Sequence, residues 1–235
     1  MASSTERSPT EPTSCRRPSS GSGPIPASRS EEDNSHECHP RRAHQPRRRL
    51  RRAGRGEPVL TVDDIDGTGT DMIVLARDVH MPVVAEMIRL GSGFLCVTID
   101  PRRAEKLALP PMTWASAVRT FGGRMCVSVD ALGTTTGISA LDRTTTLRTI
   151  ADPDATVTDF TRPGHVIPVL TDDAVIDRPG ILARAGLRCG DDTTSPVAFV
   201  SLVSEIDPVR IAGTAEAGDR GLPVLRYSDL LATWT

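Results

Sequence analysis

The sequence predicts a single α+β domain, and three observations lead there. Short apolar runs bounded by turn residues recur from Val59 onward. Stretches with helical spacing and glycine or proline stops separate them at irregular intervals. No block of about 30 residues recurs as a βαβ unit, and no internal repeat is visible. The 235 residues accommodate one ordinary domain plus an extension. With 38% hydrophobic and 3% aromatic content, the core must be built from Val, Leu, Ile and Ala.

The elements follow in order. VLTVDDID reads as a short strand entering an acidic loop, and DMIVLAR as a second strand with a nearly continuous apolar run. MPVVAEMIRLGSG sets Val83, Val84, Met87 and Ile88 at helical spacing before a stop at Gly91. FLCVTID is a buried strand. DPRRAEKLAL is a short helix, with Asp100 as N-cap and Pro101 at its first position. MCVSVDA is a further strand, and TTTLRTIADP a helix that ends before Pro153. HVIPVL, VAFVSLV and LPVLRY add strands, and YSDLLATW closes the chain as a helix.

Residues 1–57 differ in texture. Rich in Ser, Pro, Arg, Glu and Gly, they offer too little apolar surface to offset the entropy of ordering, so a disordered extension is expected up to a boundary at residue 58. This part holds 12 arginines and seven acids, about +5, while the remainder carries about −7. The run RRAHQPRRRLRRAGR could grip nucleic-acid phosphates nonspecifically by charge, but it has no aromatic for base stacking. HECH, from His36 to His39, with His44 nearby uses zinc-ligand types; a flexible polar tail accounts for the same residues. Five cysteines with no CxxC spacing and no secretory leader favour reduced thiols and a soluble, cytoplasmic protein. No apolar run reaches the roughly 18 to 20 residues that span a bilayer, so no membrane partner is expected.

Three segments combine glycine turns with hydroxyl and basic groups. In RLGSGFLCVTID, Gly91 and Gly93 permit a tight turn that leaves Ser92 and nearby amides free for a ligand. In ALGTTTGISALDRTTTLRTIAD, hydroxyls including Thr135, Thr136, Thr144 and Thr145, with Arg143 at a helix start, could pocket a phosphate. Asp142 and Arg143 could instead form an internal ion pair that shapes the loop. In DFTRPGHVIPVL, Pro163 and Gly164 present His165 before a strand, as an acid/base candidate beside Arg162. Each segment also has a plain structural reading as strand, cap or packed residues. Cys96 and Cys126, in apolar strands, read as core.

In this order the segments IRLGSGFLCVTID, TTTGISALDRTTTLR, FTRPGHVIPVL and RGLPVLRYSDLLA resemble the 3,4-dihydroxy-2-butanone 4-phosphate synthase family of riboflavin biosynthesis, over about Val59 to Trp234. The resemblance implies a compact α+β fold with a mixed sheet and flanking helices, and a homodimer with active sites near the subunit interface. It also implies Mg²⁺ or Mn²⁺ as cofactor if the chain is catalytically active. The implied reaction converts ribulose 5-phosphate, through enediol intermediates and a carbon-skeleton shift, to a four-carbon ketone phosphate and formate. Mapped onto this chain, His165 and Asp71 become catalytic. Ser92, Thr135, Thr136, Arg143, Thr144, Thr145 and Arg162 would meet substrate and its phosphate, and Asp63, Asp64, Asp66 and Asp71 would hold the metal.

The sequence departs from the family pattern at three places. Where the family carries Arg-Glu-Asn-Glu-Gly-Asp, this chain reads DGTGTD, retaining Asp71 and placing Gly67 or Thr68 at the ligand glutamate. Magnesium needs near-octahedral oxygen coordination with carboxylates, which neither can supply. The family's Arg-x-x-His-Thr-Glu is missing from DDAVIDRPGILARAGL, with Arg178 as a stand-in for its arginine. Leu202 stands at the family's catalytic glutamate, with Glu205 three residues on. Three readings follow: a divergent synthase-like lyase acting on ribulose 5-phosphate or a related sugar phosphate, an enzyme of specialised metabolism repurposing the pocket, or a non-catalytic binding or regulatory paralogue.

Overall fold

The computed structural model describes residues 44–112, 123–171, 177–188 and 195–232. One mixed sheet organises them. It comprises β1 (Val59–Val62), β2 (Thr70–Leu75), β3 (Cys96–Ile99), β4 (Arg124–Met125), β5 (Val129–Ala131), β6 (Phe160–Leu170), β7 (Val197–Ser201) and β8 (Val224–Arg226). The strand order is β4-β6-β3-β7-β2-β1-β8, with β5 also on β6. The β1/β8 and β3/β6 pairs are parallel and the other pairs antiparallel.

Helices cover both faces, which is why the central strands read as continuous apolar runs. Alternate residues still divide between two cores. Met72 and Val74 of β2 face the first core; Ile73 and Leu75 face the second. The first core lies beneath α2 (Met81–Leu90), α3 (Pro101–Lys106), α4 (Ala140–Ala151) and α6 (Thr214–Asp219), which contribute Val84, Met87, Ala104, Leu147, Ile150 and Ala217. The second core lies beneath α1 (His44–Ala53), α5 (Arg178–Arg188) and α7 (Tyr227–Leu231), which contribute Leu50, Leu182, Ala185, Tyr227 and Leu230.

Local chemistry sets the helix ends. Asp100 accepts from the Arg103 amide at 2.8 Å, the expected N-cap of α3, and Ser139 accepts from the Asp142 amide at 3.0 Å to cap α4. Gly91 is the C-cap of α2, and a Cβ there would lie 2.6 Å from Val200 Cβ, so the close packing on β7 requires glycine.

Several expectations are corrected. Helix α1 lies inside the stretch expected to be disordered, with Pro46, Leu50 and Ala53 aligned on one helical face and buried. MCVSVDA is not one strand: β4 ends at Met125, Cys126 forms an isolated bridge to Pro111, and β5 begins at Val129 with a register shift between Val129 and Asp130. Helix α4 starts four residues earlier than the TTTLRTIADP reading, at Ala140 beyond its Ser139 cap, and β6 extends back to Phe160. Helices α5 and α6 were not expected: α5 carries Pro179 and Gly180 in its first turn, and α6 is only six residues long. HECH lies outside the described residues.

Candidate active site

The clearest catalytic geometry is at the middle of β6. His165 Nδ1 stands 2.8 Å from Asp130 Oδ2, and the His165 amide donates to Asp130 Oδ1 at 2.9 Å. Both oxygens of one carboxylate therefore fix one residue. Asp130 is buried on β5, while the His165 side chain is 38% exposed. With Nδ1–H given to the carboxylate, Nε2 carries the free lone pair, the arrangement of an oriented general base. Gly137 makes the arrangement possible: its φ is +76°, and a Cβ there would sit 2.7 Å from His165 Nδ1 and still closer to Asp130. Sequence reasoning found His165 but missed Asp130. The available signal was an acid inside an otherwise apolar strand, MCVSVDA.

Arg143, in the first turn of α4, joins this pair to the Gly91–Gly93 turn. Its Nη1 donates to the Gly93 carbonyl at 2.5 Å, and Nε has no acceptor among the described residues. Burial lowers the Arg143 pKa, and the nearby Asp130 carboxylate opposes that. Ser92 sits exposed between the two glycines with φ +54°. Thr135 donates from its hydroxyl to Asp142 at 2.7 Å and from its amide at 3.2 Å, which ties the Thr134–Ser139 loop to the α4 N-terminus and holds the Asp142 carboxyl below its usual range. Asp142 and Arg143 thus each have other partners, and the expected ion pair between them does not form. Thr136 is exposed on the same loop. Among the predicted residues, the structure brings together His165, Arg143, Ser92, Thr135 and Thr136 on the loops around one helix start.

The acidic loop is built differently. Asp71 on β2 is 1% exposed and receives Arg178 Nε at 2.8 Å, a second guanidinium contact from Nη2, and the Tyr227 hydroxyl at 2.9 Å. Arg178 Nη2 also reaches Ser201 Oγ at 2.6 Å. Burial pushes the Tyr227 phenol up to about 12, with Arg178 pulling the other way. Asp63 accepts the amides of Ile65 and Asp66 at 2.9 Å and the amide and hydroxyl of Thr68 at 3.0 and 2.5 Å. Burial raises its pKa, but the Thr68 hydroxyl and these amides outweigh that and hold it at about 2. Asp64 accepts the amide and hydroxyl of Ser228 at 3.0 and 2.6 Å. Of the four acids only Asp66 has a side chain with no hydrogen-bond partner among the described residues, and it is exposed.

Comparison with known proteins identifies the frame that carries these groups. The model of the 3,4-dihydroxy-2-butanone 4-phosphate synthase family matches residues 47–186. The chain belongs to this family. The riboflavin biosynthesis protein RibBA of Nocardia farcinica is 40% identical over 192 residues, covering 75% of this chain and 44% of that protein. The 3,4-dihydroxy-2-butanone 4-phosphate synthase of Chromobacterium violaceum is 46% identical over 118 residues, 49% of this chain and 56% of that protein. The chain thus spans less than half the length of the RibBA relative. Among solved structures, a synthase of Candida albicans superposes with a TM-score of 0.68 at 26% identity, over 78% of this chain and 94% of that one. A synthase in complex with two magnesium ions gives 0.67 at 29% identity, over 78% and 93%.

Magnesium does not fit the residues that the synthase family resemblance selects here. Both oxygens of Asp71, Asp63 and Asp64 are already engaged by protein donors, and Asp71 faces a guanidinium rather than a cation-sized space. Among the described residues no three His, Cys, Asp or Glu side chains converge. Of the residues expected as catalytic (Asp71) and as metal ligands (Asp63, Asp64, Asp66 and Asp71), all but Asp66 thus accept hydrogen bonds from protein donors in this structure.

Other residues singled out in the sequence also have protein partners. Thr144 and Thr145 donate to the Ala140 and Leu141 carbonyls at 2.7 and 3.1 Å. Arg162 donates to the Val157, Phe160 and Leu107 carbonyls at 3.3, 3.2 and 2.6 Å, a clamp on the chain beneath β6. Leu202 is wholly buried in the first core, and Glu205 pairs with Arg220 at 3.1 Å. Cys96 and Cys126 are core residues, and burial raises their thiols to about 12 and 11.

Proposed function

We propose that this member of the synthase family binds ribulose 5-phosphate or a related ketose phosphate at the Gly93–Arg143–His165 cluster and catalyses proton transfer beside its carbonyl. The observation that carries this reading is the carboxylate-anchored imidazole. His165 Nε2 removes a proton from the carbon next to the ketone, the electron pair forms the enediolate, and the imidazolium so created is stabilised by Asp130 and returns the proton. The α4 N-terminus and Arg143 bring positive potential that favours an anionic ligand. Ser92 and Thr136 supply exposed hydroxyls for the sugar. No step in this reading passes through a metal, because three of the four acids expected to hold one already accept hydrogen bonds from protein donors.

The test is incubation of the protein with ribulose 5-phosphate in deuterium oxide, followed by proton NMR. Deuterium should enter the carbon positions flanking the ketone, formate should not accumulate, and His165→Ala should abolish the exchange. Magnesium-dependent formate, at a level comparable with a magnesium-dependent synthase run in parallel, would show the full lyase reaction and overturn the metal-free reading. The non-catalytic alternative is favoured by Leu202 in the core; binding without exchange would support it.

We also propose that the chain works as a homodimer. Phe94, Leu132, Ile138 and Leu141 are 53 to 65% exposed on the loops that carry the site. Exposed large apolar groups around a functional loop mark an association surface. Leu141→Arg should shift the molecular mass in solution toward the monomer, measured by light scattering. The same domain contains no helix among the described residues long and apolar enough to cross a membrane.

A further inference from the structure

Helix α1 and the turn before β8 enclose an open cleft of about 820 Å³. Arg48, Arg49, Arg51, Arg52 and Arg55 line it opposite Gly221–Pro223. Two of these arginines serve the fold: Arg49 donates to the Val224 carbonyl, and Arg52 pairs with Glu57 at 2.5 Å. No acid among the described residues pairs with Arg48, Arg51 or Arg55, which are exposed. Arg48 and Arg51 are one turn apart on α1, and Arg55 follows in the turn after the helix, on the same cleft. Like-charged side chains held together in this way repel one another unless an anion lies between them.

We propose that this cleft binds the phosphate backbone of single-stranded nucleic acid without regard to sequence. A chain of regularly spaced phosphates matches a row of guanidiniums, which bind phosphate oxygens in a planar fork. No aromatic lines the cleft, so there is no platform for stacking a base and no means of selecting one. A lipid surface fits less well, because the apolar side of α1 is spent on the core: Leu50 is 2% and Ala53 1% exposed, which leaves nothing to insert into a bilayer. The cleft lies apart from the His165 site and uses none of its residues.

The experiment is fluorescence anisotropy of a labelled oligothymidylate titrated with the full chain at several salt concentrations. Binding through about three phosphates should weaken roughly tenfold to twentyfold for a fourfold rise in salt. Arg48→Glu/Arg51→Glu/Arg55→Glu should abolish binding, the corresponding triple change to Gln should fall between, and Arg102→Glu on α3 should leave it unchanged. Unaltered binding by the charge-reversed protein would place the contact outside this cleft and overturn the proposal. Salt-insensitive binding, no binding, or binding only to vesicles containing phosphatidylserine would overturn it equally.

Discussion

Two loop systems of this protein carry its clustered oxygen atoms, and they are finished to opposite degrees. In the segment from Asp63 to Asp71, three of the four acids have both carboxylate oxygens covered by arginine, tyrosine, serine, threonine or backbone donors. In the system built from Gly91–Phe94, Thr134–Arg143 and Gly164–His165, one carboxylate orients one half-exposed imidazole, and hydroxyls remain open to solvent. Residue type is similar in both; availability is not. A carboxylate that already accepts several short hydrogen bonds must give them up before it can bind a cation. That cost is several kcal/mol for a buried charged group. Chemistry is therefore to be sought where polar atoms are positioned but unspent.

The comparison can be broken most sharply at Arg178. Removal of its guanidinium leaves Asp71 as an unpaired buried charge, so Arg178→Ala should destabilise the fold by about 3–5 kcal/mol in urea unfolding. Arg178→Ala/Asp71→Leu should recover much of that loss, because the orphaned charge goes as well. If the single change costs nothing, the loop is not locked in the way described.

Asp130→Asn comes next. The amide can still occupy the place but no longer stabilises an imidazolium, so the proton-exchange rate should fall by about 100-fold or more, within the usual range for acid/base groups. Unfolding free energy should change far less. Retention of wild-type exchange would remove Asp130 from the site.

A smaller effect sharpens the other side. The Asp63 carboxyl, at about 2 in the fold against 3.8 in the unfolded chain, favours folding when ionised. Its contribution, roughly 2 kcal/mol, is complete above about pH 4 and is lost as pH falls toward 2. Asp63→Asn should accordingly be less stable at neutral pH, with the gap to wild type closing across that window. A gap independent of pH would refute the assignment.

The smallest expected effect is none. Chelation with EDTA, or addition of millimolar magnesium, should leave the thermal midpoint unchanged, and calorimetric titration should register no heat of site-specific binding. A clear stabilisation by magnesium would mean the acidic loop opens to admit it.

Much of the fold was legible in the chain itself. Apolar runs such as MIVL, LCV and VAFV announce strands covered on both faces, and the Asp100–Pro101 pair announces a helix start. Helix α1 was not legible, because its two aliphatic core residues, Leu50 and Ala53, are surrounded by arginines whose composition signals disorder. His165 was found through the turn that presents it. Asp130 was not, since its meaning depends on a partner 35 residues away across a strand pair. The partners of the 63–71 acids were not legible, since the donors that meet Asp71 arrive from α5 and α7, more than 100 residues on.

By itself, then, the sequence determined the family, the succession of most strands and helices, and the loops worth inspecting, because periodicity, caps and glycine turns are local properties encoded within a few residues. Only the tertiary structure decided which charged groups are spent and which are free. Hydrogen-bond satisfaction is a relation between side chains brought within 3 Å of one another from distant parts of the chain, and neither the composition of a loop nor its spacing records where its partners will be.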